Sequence, residues 1–222
     1  MQKIKTKLRE RIEFVLLQFL RVIIVIPLVW KVLVLDWFNI INLGFTLVLT
    51  FIPEWLEKWW KIRFSAGVKI FFWIFIILSN VLGDALKFYA LEINGYYPWD
   101  AILHFSSGFF FTLVGFIVFS WLNNHTKKES IQTSKVFVCF FAFCFSIMCS
   151  AIWEFLEYWV DVVFDVGMGG DLFDTMSDMM LAALSSLITA IWSYFKLKKK
   201  RNNWFFKFMF KPQSETLNVE TF

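Results

Sequence analysis

The chain has 222 residues, of which 59% are hydrophobic and 21% aromatic, and its formal net charge is +4. This apolar share exceeds that of ordinary soluble domains and predicts an all-α, multi-pass membrane protein. The basic residues cluster beside long apolar runs, as is typical of membrane flanks, and they give no indication of a nucleic-acid partner.

The N-terminal part combines a basic segment with two apolar runs. Residues 1–13 are typical of a basic amphipathic lead-in at the cytoplasmic membrane surface. Residues 14–65 predict a transmembrane hairpin followed by an interfacial stretch rich in Trp and Lys, residue types that favour the headgroup layer. Arg21 and Lys31 interrupt the first apolar run, so we expect either a tilted helix or side chains that extend toward the membrane surfaces near both ends.

Six apolar runs predict six transmembrane helices, which leaves both termini on one side of the membrane. Lys and Arg are concentrated at the termini and in the loops after the second and fourth runs, whereas the other loops contain only Lys87. Because basic loops mark the cytoplasmic side, we expect both termini in the cytoplasm. The last four runs form a predicted core at residues 66–195, and a basic cytoplasmic tail follows at residues 196–222. The predicted spans cover residues 14–35, 38–52, 68–88, 99–122, 135–160 and 174–195.

Polar residues recur near the outer end of each of the last four predicted spans. Members of each group are three or four residues apart, which places them on one face of a helix. An ionisable group at the bilayer centre costs at least about 2.5–3.5 kcal/mol, so it normally faces a bundle interior or a wet cavity. We therefore expect one shared cavity that opens to the outside. The residues are Asn80 and Asp84, Asp100 and His104, Glu154, Glu157 and Asp161, and Asp174 and Asp178.

Helix direction separates two kinds of carboxylate in this set. Asp100 and Asp174 lie at predicted helix N-termini, where free N–H groups stabilise an anion, so each could be only a cap. Asp84, Glu157 and Asp161 lie near predicted C-termini, where the helix dipole disfavours a carboxylate. Capping therefore does not explain these three residues.

The carboxylates of the last two spans have no basic neighbour along the chain, because no Lys or Arg occurs from residue 136 to residue 195. Stacked carboxylates repel one another, so they hold a metal ion, share protons or meet a cationic ligand. One imidazole with several carboxylates suits Zn²⁺, Mn²⁺ or Fe, whereas carboxylates alone suit Mg²⁺ or Ca²⁺. A metal-free hydrogen-bonded network is the structural alternative. The predicted metal ligands are His104, Glu154, Glu157 and Asp178 at the centre, Asp100, Asp161 and Asp174 around them, and Asp84 as an outer member.

Three motifs occur in order along the predicted core: "YPWDAILHFSSGFF", "SAIWEFLEYWVD" and "GDLFDTMSDMMLAALSS". Together they resemble the YjdF-like family of bacterial inner-membrane proteins, and more distantly the layout is similar to the VanZ family, which is associated with glycopeptide resistance. The resemblance implies a bacterial cytoplasmic membrane and a role in the cell envelope, and it names no reaction. The residues that match the YjdF-like pattern are Asp100, His104, Gly108, Glu154, Glu157, Asp174 and Asp178.

Four classes of function remain open for such a site. The leading hypothesis is a metal-dependent enzyme that acts on a lipid or lipid-linked envelope substrate at the outer leaflet. The alternatives are a binding or immunity protein that holds an envelope ligand, a cation-coupled transporter, and an assembly factor whose acidic residues only hold the helices together. The sequence shows no inverted repeat, broken helix pair or polar path into the cytoplasmic half of the spans, which favours a site over a route. The substrate, the catalytic residues and the oligomeric state do not follow from the sequence.

Overall fold

The computed structural model describes residues 2–61, 64–93, 97–125, 134–165, 167 and 170–198, without the side chains of residues 2–10, 13, 124 and 125. Within this described part the chain is helical and contains no strand. The predicted cytoplasmic tail beyond Lys198 and most of the basic loop after the fourth span lie outside the described residues.

The described helices account for all six predicted spans. Six stretches are long and apolar enough to cross a membrane, so the predicted number and order of spans are confirmed for this part of the chain. A π-helical segment, Ile77–Ala85, continues the fourth α-helix, and a short 3₁₀ turn, Phe88–Ala90, follows it. The α-helices are α1 (Gln2–Leu33), α2 (Trp37–Leu49), α3 (Ile52–Trp60), α4 (Ala66–Ile76), α5 (Pro98–His125), α6 (Lys135–Phe164) and α7 (Leu172–Lys198).

The second span is longer than the sequence predicted. It continues to Trp60 rather than to residue 52, because α3 follows α2 after only two residues. Pro53 lies in the first turn of α3, where its missing N–H removes no helical hydrogen bond. The proline therefore begins a helix inside the segment that was expected to be an interfacial stretch.

The chain divides into two compact units, Met1–Glu92 and Ile93–Phe222. This boundary places α4 with the N-terminal helices, whereas the sequence grouped it with the last three spans. In the first unit, α1, α2 and the π-helical segment pack around the fully buried side chains of Ile24 and Leu43. The second unit contains α5, α6 and α7.

Two basic side chains of the first unit are paired within it. Arg21 donates hydrogen bonds to Glu54 Oε1 at 2.9 Å and to Thr50 Oγ1 at 3.3 Å. Lys31 is 5% exposed and donates to Asp36 Oδ2 at 2.9 Å, and this hydrogen bond lowers the pKa of the Asp36 carboxyl. An opposite charge stabilises a charge in an apolar setting, and these two pairs were not predicted from the sequence.

In the second unit, each of α5, α6 and α7 packs against the other two. Two glycines of α5 allow the backbones to approach closely: Gly108 lies against Ala182 of α7, and Gly115 lies against Ala142 of α6. A Cβ atom at Gly108 would overlap the carbonyl oxygen of Ala182. Small residues at these two positions therefore permit close helix packing.

Buried hydroxyl groups line the same helix interfaces and show the direction of each helix. Thr112 Oγ1 and Ser186 Oγ are 2.8 Å apart, and Ser146 donates to the carbonyl of Gly108 at 3.1 Å. Gly108 and Thr112 of α5 contact Ala182 and Ser186 of α7 in the same order along the two helices, so α5 and α7 are parallel. Helix α6 runs in the opposite direction. The hydroxyls continue to Thr189, in the C-terminal half of α7, which is a polar lining that the sequence analysis did not predict.

Candidate metal centre

The three helices of the second unit bring polar side chains to one end of the bundle. His104 lies six residues after the first residue of α5, and Asp178 lies six residues after the first residue of α7. At a rise of 1.5 Å per residue, both are about 9 Å from the start of their parallel helices. Helix α6 runs in the opposite direction and contributes Glu154 and Glu157 from its C-terminal half. All four side chains are buried.

The imidazole of His104 has carboxylates on both sides. Its Nδ1 is 3.6 Å from Glu154 Oε1, while its Nε2 is 3.4 Å from Asp100 Oδ1 and 3.9 Å from Asp178 Oδ2. These distances are longer than the 2.7–3.2 Å of a well-formed N–H···O hydrogen bond. The carboxylates therefore surround the imidazole ring at distances too long for well-formed hydrogen bonds.

Two overlapping triads have the spacing of metal ligands, with all three ligand atoms of each triad within 4.8 Å of one another. They share the imidazole of His104, which the carboxylates approach at opposite ring nitrogens. Two ligands about 2.1 Å from a tetrahedral metal ion are about 3.4 Å apart, close to the separation between His104 Nδ1 and Glu154 Oε1. The first triad is Asp100, His104 and Asp178, and the second is His104, Glu154 and Glu157.

An unsatisfied oxygen favours the second triad as the place for a cation. Glu154 is 7% exposed, and its Oε1 atom has no hydrogen-bond partner among the described residues. A buried carboxylate oxygen without a donor is costly, and a cation beside it would remove that cost. Glu157 is already oriented, because its Oε1 accepts a hydrogen bond from Trp153 Nε1 at 2.7 Å.

Asp100 is placed to orient the imidazole. Histidines that bind metals usually donate their other ring N–H to a carboxylate, which fixes the tautomer. Here Asp100 Oδ1 lies on the Nε2 side of His104, and the two residues are one helical turn apart on α5. A proton on Nε2 would leave the Nδ1 lone pair directed toward Glu154. The residues present therefore fit a divalent cation held by His104, Glu154 and Glu157.

Asp174 has a different local role from the one that its sequence position suggested. It lies in the first turn of α7, but the residue that caps this helix is Asp171, whose Oδ1 accepts the N–H of Asp174 at 2.9 Å. Asp174 is half-buried and belongs to neither triad. The sequence analysis did not select Asp171, although an Asp directly before a helix, with an acidic residue three positions later, is a recognisable capping signal.

The other two predicted ligands also lie outside the triads. Asp161 is half-buried, one helical turn beyond Glu157 along α6. Asp84 is in the first unit, where it accepts a hydrogen bond from Asn42 Nδ2 at 2.7 Å. Among the described residues, the triads thus bring together five of the eight predicted ligands and leave out Asp84, Asp161 and Asp174.

A cavity of about 600 Å³ lies beside the second triad, between the C-terminal end of α6 and the start of α7. Glu154 contributes to both the triad and the cavity wall. Two further carboxylates and several aromatic rings line the same space. The candidate metal centre is therefore adjacent to a space large enough for a small organic group.

The chain belongs to the family described as "predicted membrane protein (DUF2238)", which matches residues 15–199. The matched range includes both triads and all six spans except Phe14, the first residue of the first span. No curated protein and no solved structure matches the chain. The family establishes the class as a membrane protein, and the closer resemblance drawn from the sequence motifs stays a prediction.

Proposed function

We propose that this protein is a membrane-embedded, metal-dependent enzyme that acts on a lipid or lipid-linked substrate of the bacterial envelope. One observation carries the proposal: the buried Oε1 of Glu154 has no hydrogen-bond partner among the described residues, lies 3.6 Å from His104 Nδ1, and belongs to a side chain that also lines the cavity. A cation bound there would have protein ligands on one side and the cavity on the other.

The donor set indicates which metals the site would take. One imidazole nitrogen with two carboxylates suits Zn²⁺, Mn²⁺ or Fe²⁺ better than Ca²⁺, which prefers six to eight oxygen ligands. Three protein ligands leave a coordination position open, as in catalytic zinc sites. A metal bound in this way would polarise a phosphoryl or carbonyl oxygen of the substrate.

The distribution of basic residues supports a site that faces away from the cytoplasm. Lys196 and Lys198 lie in the last turn of α7, at the opposite end from Asp178. Because basic residues are enriched on the cytoplasmic side, the triads belong to the outer half of the bilayer. This orientation in a bacterial cytoplasmic membrane would give the site access to lipids and lipid-linked precursors of the outer leaflet.

The proposal is tested first by the metal content of the full-length protein in detergent. We expect about one Zn, Mn or Fe per chain, and at least a tenfold loss of metal affinity in His104→Ala and Glu154→Gln. Asp165→Asn is the matched control. Asp165 is an exposed carboxylate at the end of α6, its left-handed backbone (φ 52°) tolerates Asn, and it belongs to neither triad.

The second step is an activity assay. The metal-loaded protein is incubated with a bacterial envelope lipid extract, and mass spectrometry compares the products with those of Glu154→Gln. A lipid species that the wild type consumes and the variant does not would identify the substrate. A wild type that binds none of these metals, or a lipid profile identical to that of the variant, would refute the proposal.

A further inference from the structure

The cavity beside Glu154 has a negatively charged wall. Its wall includes the carboxylates of Glu154, Asp161 and Asp171. No Lys or Arg contributes to the wall among the described residues, and none occurs in the sequence between residues 136 and 195. An isolated phosphate would be repelled by this wall, whereas an organic cation would be attracted.

Aromatic rings complete the wall of the cavity. Tyr158 and Trp159 line it from α6, and these side chains are 60% and 61% exposed. The cavity thus opens toward the surroundings of the bundle, in a region where Trp and Tyr favour the headgroup layer of a bilayer. The face of an aromatic ring attracts an ammonium group, and the combination of rings with carboxylates is how proteins recognise organic cations.

A buried group in the cavity wall also points to a positively charged partner, and it is the same oxygen that the proposed metal ion would meet. Glu154 is more than nine-tenths buried, and its Oε1 atom has no hydrogen-bond partner in the described part of the chain. The acids nearer the mouth, Asp161 and Asp171, are half-buried and exposed, respectively. Negative charge therefore extends from the mouth of the cavity to its deepest carboxylate.

We propose that this cavity binds the ammonium group of an amine-bearing phospholipid. Asp161 and Asp171 contact the ammonium group near the mouth, and the ring of Trp159 lies against it. The phosphate of the same headgroup then faces the metal ion held beside Glu154. The second part of this inference rests on the proposed function, whereas the selection for an amine depends on the cavity alone.

Binding of short-chain lipids to the full-length protein in detergent tests the inference. The probes are dihexanoyl phosphatidylethanolamine, dihexanoyl phosphatidylglycerol and free ethanolamine, and native mass spectrometry measures the occupancy of each. We expect phosphatidylethanolamine to bind at least tenfold more tightly than either of the others. The first comparison replaces the ammonium group by uncharged glycerol and leaves a net negative headgroup, and the second distinguishes a lipid from a soluble amine.

Charge-removing variants locate the binding. Asp161→Asn combined with Asp171→Asn should weaken phosphatidylethanolamine binding about tenfold, while the content of bound metal stays at the wild-type level. Asn at position 171 retains a capping side chain for α7, so the helix start is preserved. Asp165→Asn removes the same charge nearby, outside the cavity wall, and should change neither quantity.

The outcomes separate the two proposals. Equal binding of the two phospholipids, equal binding of free ethanolamine, or wild-type binding by the double variant would each overturn the amine-lipid site. A protein that selects phosphatidylethanolamine but binds no metal would support the cavity and overturn the metal-dependent function. Filling the cavity with Ala151→Phe, which changes no charge, should also weaken phosphatidylethanolamine binding, and unaltered binding would count against the cavity as its location.

Discussion

Replacing Gly108 by Ala should destabilise the protein, because the backbones of α5 and α7 are in contact at this position. The added Cβ would overlap the carbonyl oxygen of Ala182 and would lie 2.9 Å from its carbonyl carbon and 3.0 Å from its Cα. Ordinary contacts of a Cβ begin at 3.4 Å, and these backbone atoms cannot rotate away, so the helices must separate. Overpacking of this kind costs about 1–3 kcal/mol.

The expected loss can be measured as a lower Tm in detergent. For a chain of this size each kcal/mol lowers Tm by about 2–4 °C, so we expect a decrease of about 2–12 °C. Gly44→Ala is the matched control, because an added Cβ on Gly44 would meet nothing within 4 Å and alanine favours the helix. Combining Gly108→Ala with Ala182→Gly should not restore Tm, since the overlapping atoms belong to the backbone. A Gly108→Ala protein as stable as Gly44→Ala would refute this account of the packing.

Two further predictions concern pairs that the structure identifies. Arg21→Gln should lower the free energy of unfolding by about 1.5–3 kcal/mol, because Glu54 loses its charged donor. The double variant Arg21→Gln, Glu54→Gln should lose less stability, and thermal denaturation compares the two proteins. A double variant that is less stable than the single one would contradict the pairing. Asp171→Ala should cost about 1 kcal/mol by removing the cap of α7, whereas Asp171→Asn should cost little. Equal Tm values for these two variants would show that the cap is dispensable.

The spans were predictable because hydropathy is a local property of the chain. A run of apolar residues identifies a helix of membrane length whatever it packs against, and all six runs were found. Pairing between distant residues is not local. Arg21 and Glu54 are 33 residues apart, and nothing in the first apolar run indicates that its charge is neutralised from α3. The sequence therefore predicted the span correctly but did not identify the partner of its charge.

The candidate site was partly predictable for a related reason. A spacing of four places Asp100 and His104 on one face of α5, and the structure brings these side chains within 3.4 Å. Which carboxylates meet the imidazole from other helices depends on the register that Gly108 allows between α5 and α7. Asp84 shows the limit of the reasoning, since the same spacing rule selected it and it is hydrogen-bonded to Asn42 in the first unit.

One alternative to a metal site is a network of carboxyl groups that share protons, and Glu154→Gln separates the two. A protonated carboxyl group and an amide are both neutral and have nearly the same shape. In a proton-sharing network the substitution should change stability by less than about 1 kcal/mol, because both side chains can donate a hydrogen bond. At a metal site the same substitution removes a charged ligand and so lowers the affinity of the protein for the metal. Lost metal together with a lower stability than that of the metal-loaded wild type therefore indicates coordination, whereas wild-type stability without metal in either protein indicates shared protons.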